Sequence, residues 1–239
     1  MSTVGQRASA VAGQVASVAR ILSRAGLVEA FGHVSARCEE GFAITSTAPL
    51  GEARSAEVAI CDVAGEARGE AGGLPLETPL HAAVYSVRAE VGAICRTHSR
   101  AAVLLGARGQ APPVLHGLGG LAGDVRTYDC AELITDRALA ERCAGALGPA
   151  DCLLIRANGA IAVGADLPEA LVRAYYLEER CAVALDSPGV SGVSEAELAS
   201  RSRWFAAERE RAHRWLRRRY GDAEEPGQEN GNEGEEPVR

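Results

Sequence analysis

Lysine is absent from the 239-residue chain: all 25 basic residues are arginine. Without that amine, neither Schiff-base catalysis nor a Walker-type phosphate loop is available. The arginine-only usage reads as a coding bias rather than as selection for guanidinium chemistry. Aromatic residues make up only 4% and methionine occurs once, so the core has to be built from Ala, Val, Leu and Ile. No apolar run is long enough to cross a bilayer. The seven cysteines, at 38, 61, 95, 130, 143, 152 and 181, include no CxxC pair. With no signal peptide in view, a reduced cytoplasmic compartment is expected.

What is present is an ordinary globular balance, 47% hydrophobic and 24% charged. The net charge of −7 is uneven, because Asp222 to Arg239 hold seven acids and one arginine. The remainder is nearly neutral, which is not the balance of a nucleic-acid binder. Residues 221–239 read as a solvated acidic tail beyond a domain spanning 1–220. Residues 1–28 carry Arg7, Arg20 and Arg24 but no acid, as a transit peptide would. Val11, Val15, Val18 and Leu22 equally make one face of a domain-opening helix, which is the reading adopted.

Periodicity predicts helices at 8–28, 78–88, 99–105, 134–147 (capped by Thr135), 168–185 and 195–219. Strands are expected at 32–37, 42–45, 58–63, 91–98, 152–155 and 160–163, the last two joined by an Asn158-Gly159 hairpin turn. Residues 109–128, rich in Gly and Pro, read as a loop. Short turns between several strands favour an α/β layer protein whose sheet is largely antiparallel.

Five histidines are candidates for chemistry. His213 sits among arginines of the terminal helix and reads as a surface residue. His81 on the helix opened by Pro79, and His116 in the Gly-rich loop, can each be structural or functional. His33 and His98 lie on or at the end of strands, where a rigid scaffold aims them. Glu77, in the apolar stretch Leu74 to His81, is either a helix-start carboxylate favoured by the dipole or a partly desolvated base. Trp204, Phe205 and Trp215 read as core or subunit contacts.

Five segments in order carry a resemblance: Gly26-Leu27-Val28 with Gly32-His33-Val34-Ser35-Ala36-Arg37; Ile44-Thr45-Ser46; Leu76 to Tyr85; Val91 to Ser99; and Leu153 to Gly164. From about residue 10 to 186 the chain resembles the class II aldolase/adducin family, in its fuculose-phosphate-aldolase-like form. The resemblance implies a three-layer α/β/α fold around a mixed, mainly antiparallel sheet, and homotetramers with active sites at subunit interfaces. It also implies a divalent metal (Zn, Mn or Fe) on three His ligands and a Glu acid/base.

Residue by residue, Glu77 matches the acid/base, His81 and Tyr85 its helix, and His98 one metal ligand. Arg96 and Asn158 stand at the other two ligand positions. His33 replaces an Asn of the family motif. Pro75-Leu76 and Thr47-Ala48 replace residues that contact sugar phosphates. An arginine cannot ligate a metal, but its guanidinium fork fits a carboxylate. The reading is a C–C lyase, a decarboxylase or aldolase-like enzyme, acting on a small carboxylated substrate. Glu77, His98 and Arg96 are its catalytic residues, and Gly32, His33, Ser35, Thr45, Ser46 and Asn158 line the substrate site. Neither a nucleic-acid nor a membrane partner is expected. The alternative is a non-catalytic, adducin-like binding protein in which Arg96 makes a structural ion pair.

Overall fold

A computed structural model describes residues 3–69 and 73–222. Residues 223–239, most of the acidic tail expected from composition, lie outside the described residues. Asp222, counted with that tail, is held by Arg20 at 2.5 Å and Arg24 at 2.8 Å.

The chain opens with α1 (Thr3–Arg24) and the strands β1 (His33–Cys38), β2 (Gly41–Ile44) and β3 (Ala59–Cys61). There follow α2 (Thr78–Val87), β4 (Ala93–Thr97), α3 (Arg100–Ala107), β5 (Val125–Tyr128) and α4 (Arg137–Leu147). The hairpin strands β6 (Cys152–Ile155) and β7 (Ala160–Gly164) precede α5 (Leu167–Asp186), α6 (Glu195–Ser202) and α7 (Phe205–Tyr220). Among the described residues one sheet of seven strands runs β3-β2-β1-β4-β7-β6-β5. Every neighbouring pair is antiparallel except β5 with β6. This is the mixed, mainly antiparallel sheet that the resemblance implies.

Alternation along the strands sends side chains to two cores, as a pleated sheet covered on both faces requires. Val34, Ala43, Cys95, Leu154 and Ala162 pack on α1, α3, α5 and α7. Phe42, Ile44, Ile94, Leu153, Ile161 and Val163 pack on α2 and α4. Val15, Val18 and Leu22 of α1 are buried, so the first helix belongs to the fold.

Three expectations are corrected. The segment read as a loop ends in a strand, β5, half exposed at the sheet edge and thus without an apolar pattern. The single helix expected over 195–219 is two, broken at Arg203 and Trp204. The cap of α4 is Asp136, whose side chain accepts from the Leu139 amide at 2.9 Å, rather than Thr135. Trp204 is 58% and Trp215 46% exposed, so neither is a core residue of the single chain.

Candidate functional site

The site forms on the α2 side of the sheet, where β1 and β4 run antiparallel with His33 directly opposite Arg96. Gly32 makes that approach possible: at φ +138°, a Cβ there would stand 2.9 Å from the Arg96 carbonyl. Gly159 does the same for the β6–β7 turn. Its φ is +79°, and a Cβ would lie 2.1 Å from the Thr97 carbonyl oxygen and 3.1 Å from Arg96 Nη1. The expected Asn-Gly hairpin therefore also docks Asn158 beside the end of β4.

Glu77 occupies the N-cap of α2 but makes no capping hydrogen bond; Thr78 Oγ1 donates instead to the Pro75 carbonyl at 2.7 Å. The carboxylate turns inward and is 2% exposed. Its Oε2 accepts from Arg96 Nε at 3.0 Å, and its Oε1 from the Ile134 amide at 3.2 Å and Asn158 Nδ2 at 3.5 Å. His33 Nε2 stands 3.6 Å from Oε2, a contact longer than a hydrogen bond. Arg96 is wholly buried, and its Nη1 donates to the Thr97 and Ala160 carbonyls. Among the described residues its Nη2 has no hydrogen-bond partner, and neither does the buried Nδ1 atom of His98, two residues further along the chain.

Behind Glu77 a chain of contacts continues. His33 Nδ1 lies 3.0 Å from His81 Nε2, His81 Nδ1 lies 2.7 Å from Ser35 Oγ, and Ser35 Oγ lies 2.8 Å from Tyr85 Oη. Burial pushes the pKa values of both imidazoles down, with the Arg96 charge adding to the effect; His33 falls well below its usual value and His81 to about 3. Burial likewise raises the Tyr85 phenol, and burial together with the Arg96 charge lowers His98.

These shifts set the sign of a pH effect. An unfolded chain takes up a proton on each of these histidines below about pH 6.5, whereas the folded chain refuses it on His81 until about pH 3. Stability is therefore full above pH 6.5 and is lost as pH falls through that window, at up to about 1.4 kcal/mol per pH unit for each such histidine. Urea unfolding at pH 7, 6 and 5 is expected to show a shallower slope for His81→Gln than for the natural chain. Equal slopes would mean that His81 is not buried neutral.

Of the residues singled out from sequence, Glu77, Arg96, His33, His98 and Asn158 converge. Ser35 joins through His81. Thr45 and Ser46 do not join: the hydroxyl of Thr45 accepts from the Val34 amide and that of Ser46 from the Ala48 amide. His116 lies on the other side of the sheet, beside Gly119 and Arg180 of α5. His213 is half-buried in a cleft of about 1160 Å³ with Ser17 and Ile21 of α1 and Arg214 and Arg217 of α7, away from Glu77. The Ile134 amide was not foreseen, because a backbone donor leaves no residue-type signal.

The donor set does not fit a divalent metal. Among the described residues no group of three or more His, Cys, Asp or Glu side chains converges as metal ligands would. The cation already paired with Glu77 is the Arg96 guanidinium, which offers no lone pair and repels a second cation. Among the described residues no helix is long and apolar enough to span a membrane.

Comparison with known proteins agrees with this architecture. A 3,4-dihydroxyphthalate decarboxylase from Terrabacter sp. (strain DBF63) is 30% identical over 200 residues, covering 77% of this chain and 83% of its own. The L-fuculose 1-phosphate aldolase of Glaciozyma antarctica PI12 superposes with a TM-score of 0.75 at 16% identity, covering 93% of this chain and 96% of its own. The L-fuculose-1-phosphate aldolase of Thermus thermophilus gives 0.65 at 25% identity, covering 77% of this chain and all (100%) of its own. At a coarse level the decarboxylase relative and the aldolase-type family support a carbon–carbon lyase. Residues 13–185 match the profile of the class II aldolase and adducin N-terminal domain, and the chain belongs to that family.

Proposed function

We propose that the protein is a decarboxylase of small hydroxylated aromatic carboxylic acids. The observation that carries this reading is a pair of buried nitrogens near the Glu77 carboxylate, Arg96 Nη2 and His98 Nδ1, that have no hydrogen-bond partner among the described residues. A buried donor without an acceptor costs free energy that a bound ligand oxygen recovers. A substrate carboxylate or ring oxyanion supplies such an oxygen, and a guanidinium favours it.

In the proposed reaction Glu77 takes the proton of a hydroxyl ortho or para to the carboxylate and delivers it to the ring carbon that bears the carboxylate, giving a cyclohexadienone whose oxygen Arg96 and His98 hold. The bond from that carbon to the carboxyl carbon then breaks and CO₂ leaves. The electron pair restores the aromatic ring and leaves negative charge on the ring oxygen, which Arg96 and His98 stabilise until it takes up a proton from water. Asn158 orients Glu77, while Gly32, His33 and Ser35 form the wall behind it. Phe31, Leu76 and Leu133 are 76%, 69% and 50% exposed, and each neighbours a site residue in sequence. They offer an apolar rim to a flat ring. Residues 1–220 are proposed as the functional domain and a homotetramer as its assembly. No step is routed through a metal, because the residues present do not form a place for one.

The test is CO₂ release from a panel of hydroxylated benzoates and phthalates, with sugar phosphates as the retro-aldol contrast. Turnover on at least one aromatic acid is expected, at a rate unchanged by chelator or by added Zn, Mn or Fe. A metal-dependent rate would overturn the Arg96-based site. The internal Glu77–Arg96 ion pair favours one other reading, a binding protein that kept the fold. Tight binding of the same acids with no turnover in any condition would select it.

A further inference from the structure

We propose that His81 and Ser35 are positioning residues that lock His33 in the tautomer carrying its proton on Nε2, so that this N–H faces Glu77. The assignment of tautomers stands on the geometry of this chain of contacts and on the burial that keeps both rings neutral. Its consequence for turnover rests on the reading of Glu77 as the acid/base.

The arrangement comes from two periodicities in register. Glu77, His81 and Tyr85 recur every fourth residue along α2, which puts them on one helical face. His33 and Ser35 are two apart on β1 and so share a face of the sheet. Helix against strand interleaves them as Glu77, His33, His81, Ser35, Tyr85. His33 is 8% exposed, Tyr85 5%, and His81 and Ser35 are wholly buried, so water does not compete for these bonds.

A neutral imidazole has one donor and one acceptor. Both histidines are neutral near pH 7, because burial and the nearby Arg96 charge oppose a proton on either ring. Only one proton lies in the His33–His81 bond, which leaves two possible directions for the whole chain. In one, Tyr85 donates to Ser35, Ser35 donates to His81 Nδ1, His81 Nε2–H donates to His33 Nδ1, and His33 Nε2–H points at Glu77.

In the other direction every bond is reversed. The lone pair of His33 Nε2 then faces the Glu77 carboxylate at 3.6 Å. The hydroxyl proton of Tyr85 is also stranded, since among the described residues Ser35 is the hydrogen-bond partner of its Oη. A buried group left without a partner, and two acceptors facing each other, each cost free energy. The first direction has neither fault. It aims a donor at Glu77 Oε2, the oxygen that also accepts from Arg96 Nε.

The role of Ser35 is specific. Because Ser35 accepts from Tyr85, its own proton goes to His81 Nδ1, and it thereby passes the direction set at Tyr85 on to His81. The sequence signal for this relay is the Glu-x-x-x-His-x-x-x-Tyr spacing of 77, 81 and 85 with His-x-Ser at 33 and 35.

The experiment is ¹⁵N NMR of the full chain labelled at histidine, near pH 7. A nitrogen–nitrogen coupling across the imidazole–imidazole hydrogen bond identifies the His33–His81 pair without any substitution. Both rings are expected to show a protonated Nε2 and an unprotonated Nδ1. A protonated Nδ1 on either ring, averaged shifts, or no coupling would overturn the assignment, whether or not the protein is a decarboxylase.

Ser35→Ala should shift His81 toward a mixture of tautomers, and Ser35→Thr, which keeps the hydroxyl, should restore the single form. On a substrate found by the CO₂ assay, Ser35→Ala is expected to lower kcat by about tenfold with KM little changed, and Ser35→Thr to recover it. An intact tautomer pair in Ser35→Ala would show that Ser35 does not set it.

Discussion

Truncating Arg96 to alanine is expected to lower the unfolding free energy by about 3–5 kcal/mol, the cost of breaking a buried ion pair from one side. The guanidinium is wholly buried and donates to Glu77, Thr97 and Ala160. Its loss leaves the Glu77 carboxylate, 2% exposed, without a counter-charge. The Ile134 amide, Asn158 and His33 are what remain to it, and none brings a full positive charge when His33 is neutral. Urea unfolding at pH 7 measures the effect. The double variant Arg96→Ala/Glu77→Ala is expected to lose less than the sum of the two single losses, because removing both partners leaves no orphaned charge. Strict additivity would mean that the two side chains do not act as a pair. Turnover in Arg96→Ala should fall by about 10²–10³-fold, the usual effect of deleting a donor to a developing oxyanion.

Glu77→Gln carries the second large effect, on the chemical step. The amide keeps the side-chain shape and an oxygen that can accept from Arg96 Nε, but it cannot take up and return a proton. A fall in kcat of about 10²–10⁴-fold is expected on the substrate that the CO₂ assay identifies. Thermal melts should show a folded protein of unchanged oligomeric state. Full activity in this variant would remove Glu77 from the acid/base role. Both variants lower stability, because each leaves one charge of the buried pair without its partner, but only Glu77→Gln keeps a hydrogen bond to Arg96 Nε while removing the group that carries the proton.

Much of the scaffold was legible before any coordinates. Val15, Val18 and Leu22 gave α1 an apolar face and the resemblance placed it in the domain, alternation marked β1, and strands were expected where β4, β6 and β7 lie. The Asn158-Gly159 dipeptide marked the hairpin, and the Gly at 159 is required by its positive φ and by the approach to Thr97. β5 was not legible. It is a short edge strand whose one neighbour, β6, runs parallel to it from the other side of α4, so no local pattern announces the pairing. The break at Arg203 and Trp204 was hidden for a related reason. Arg, Ala and Glu favour helix on either side, and only the packing of Phe205 and Leu216 against the main body redirects the chain.

Within the site, the resemblance pointed to Glu77, His98 and Arg96 and implied that Arg96 and Asn158 stand at two ligand positions of the family's metal centre. That Arg96 cannot itself be a ligand needs no structure, since a guanidinium has no lone pair to donate wherever it is placed. Which charge Arg96 faces was decided by tertiary structure alone. So were the lack of a hydrogen-bond partner for its Nη2 among the described residues and the alignment of His33, His81, Ser35 and Tyr85 behind Glu77. These facts depend on the register of β1 against β4 and on the seating of α2 across both. Helical and strand periodicities assign side chains to faces, but the distance between two faces is set by long-range packing, which no local stretch of sequence encodes.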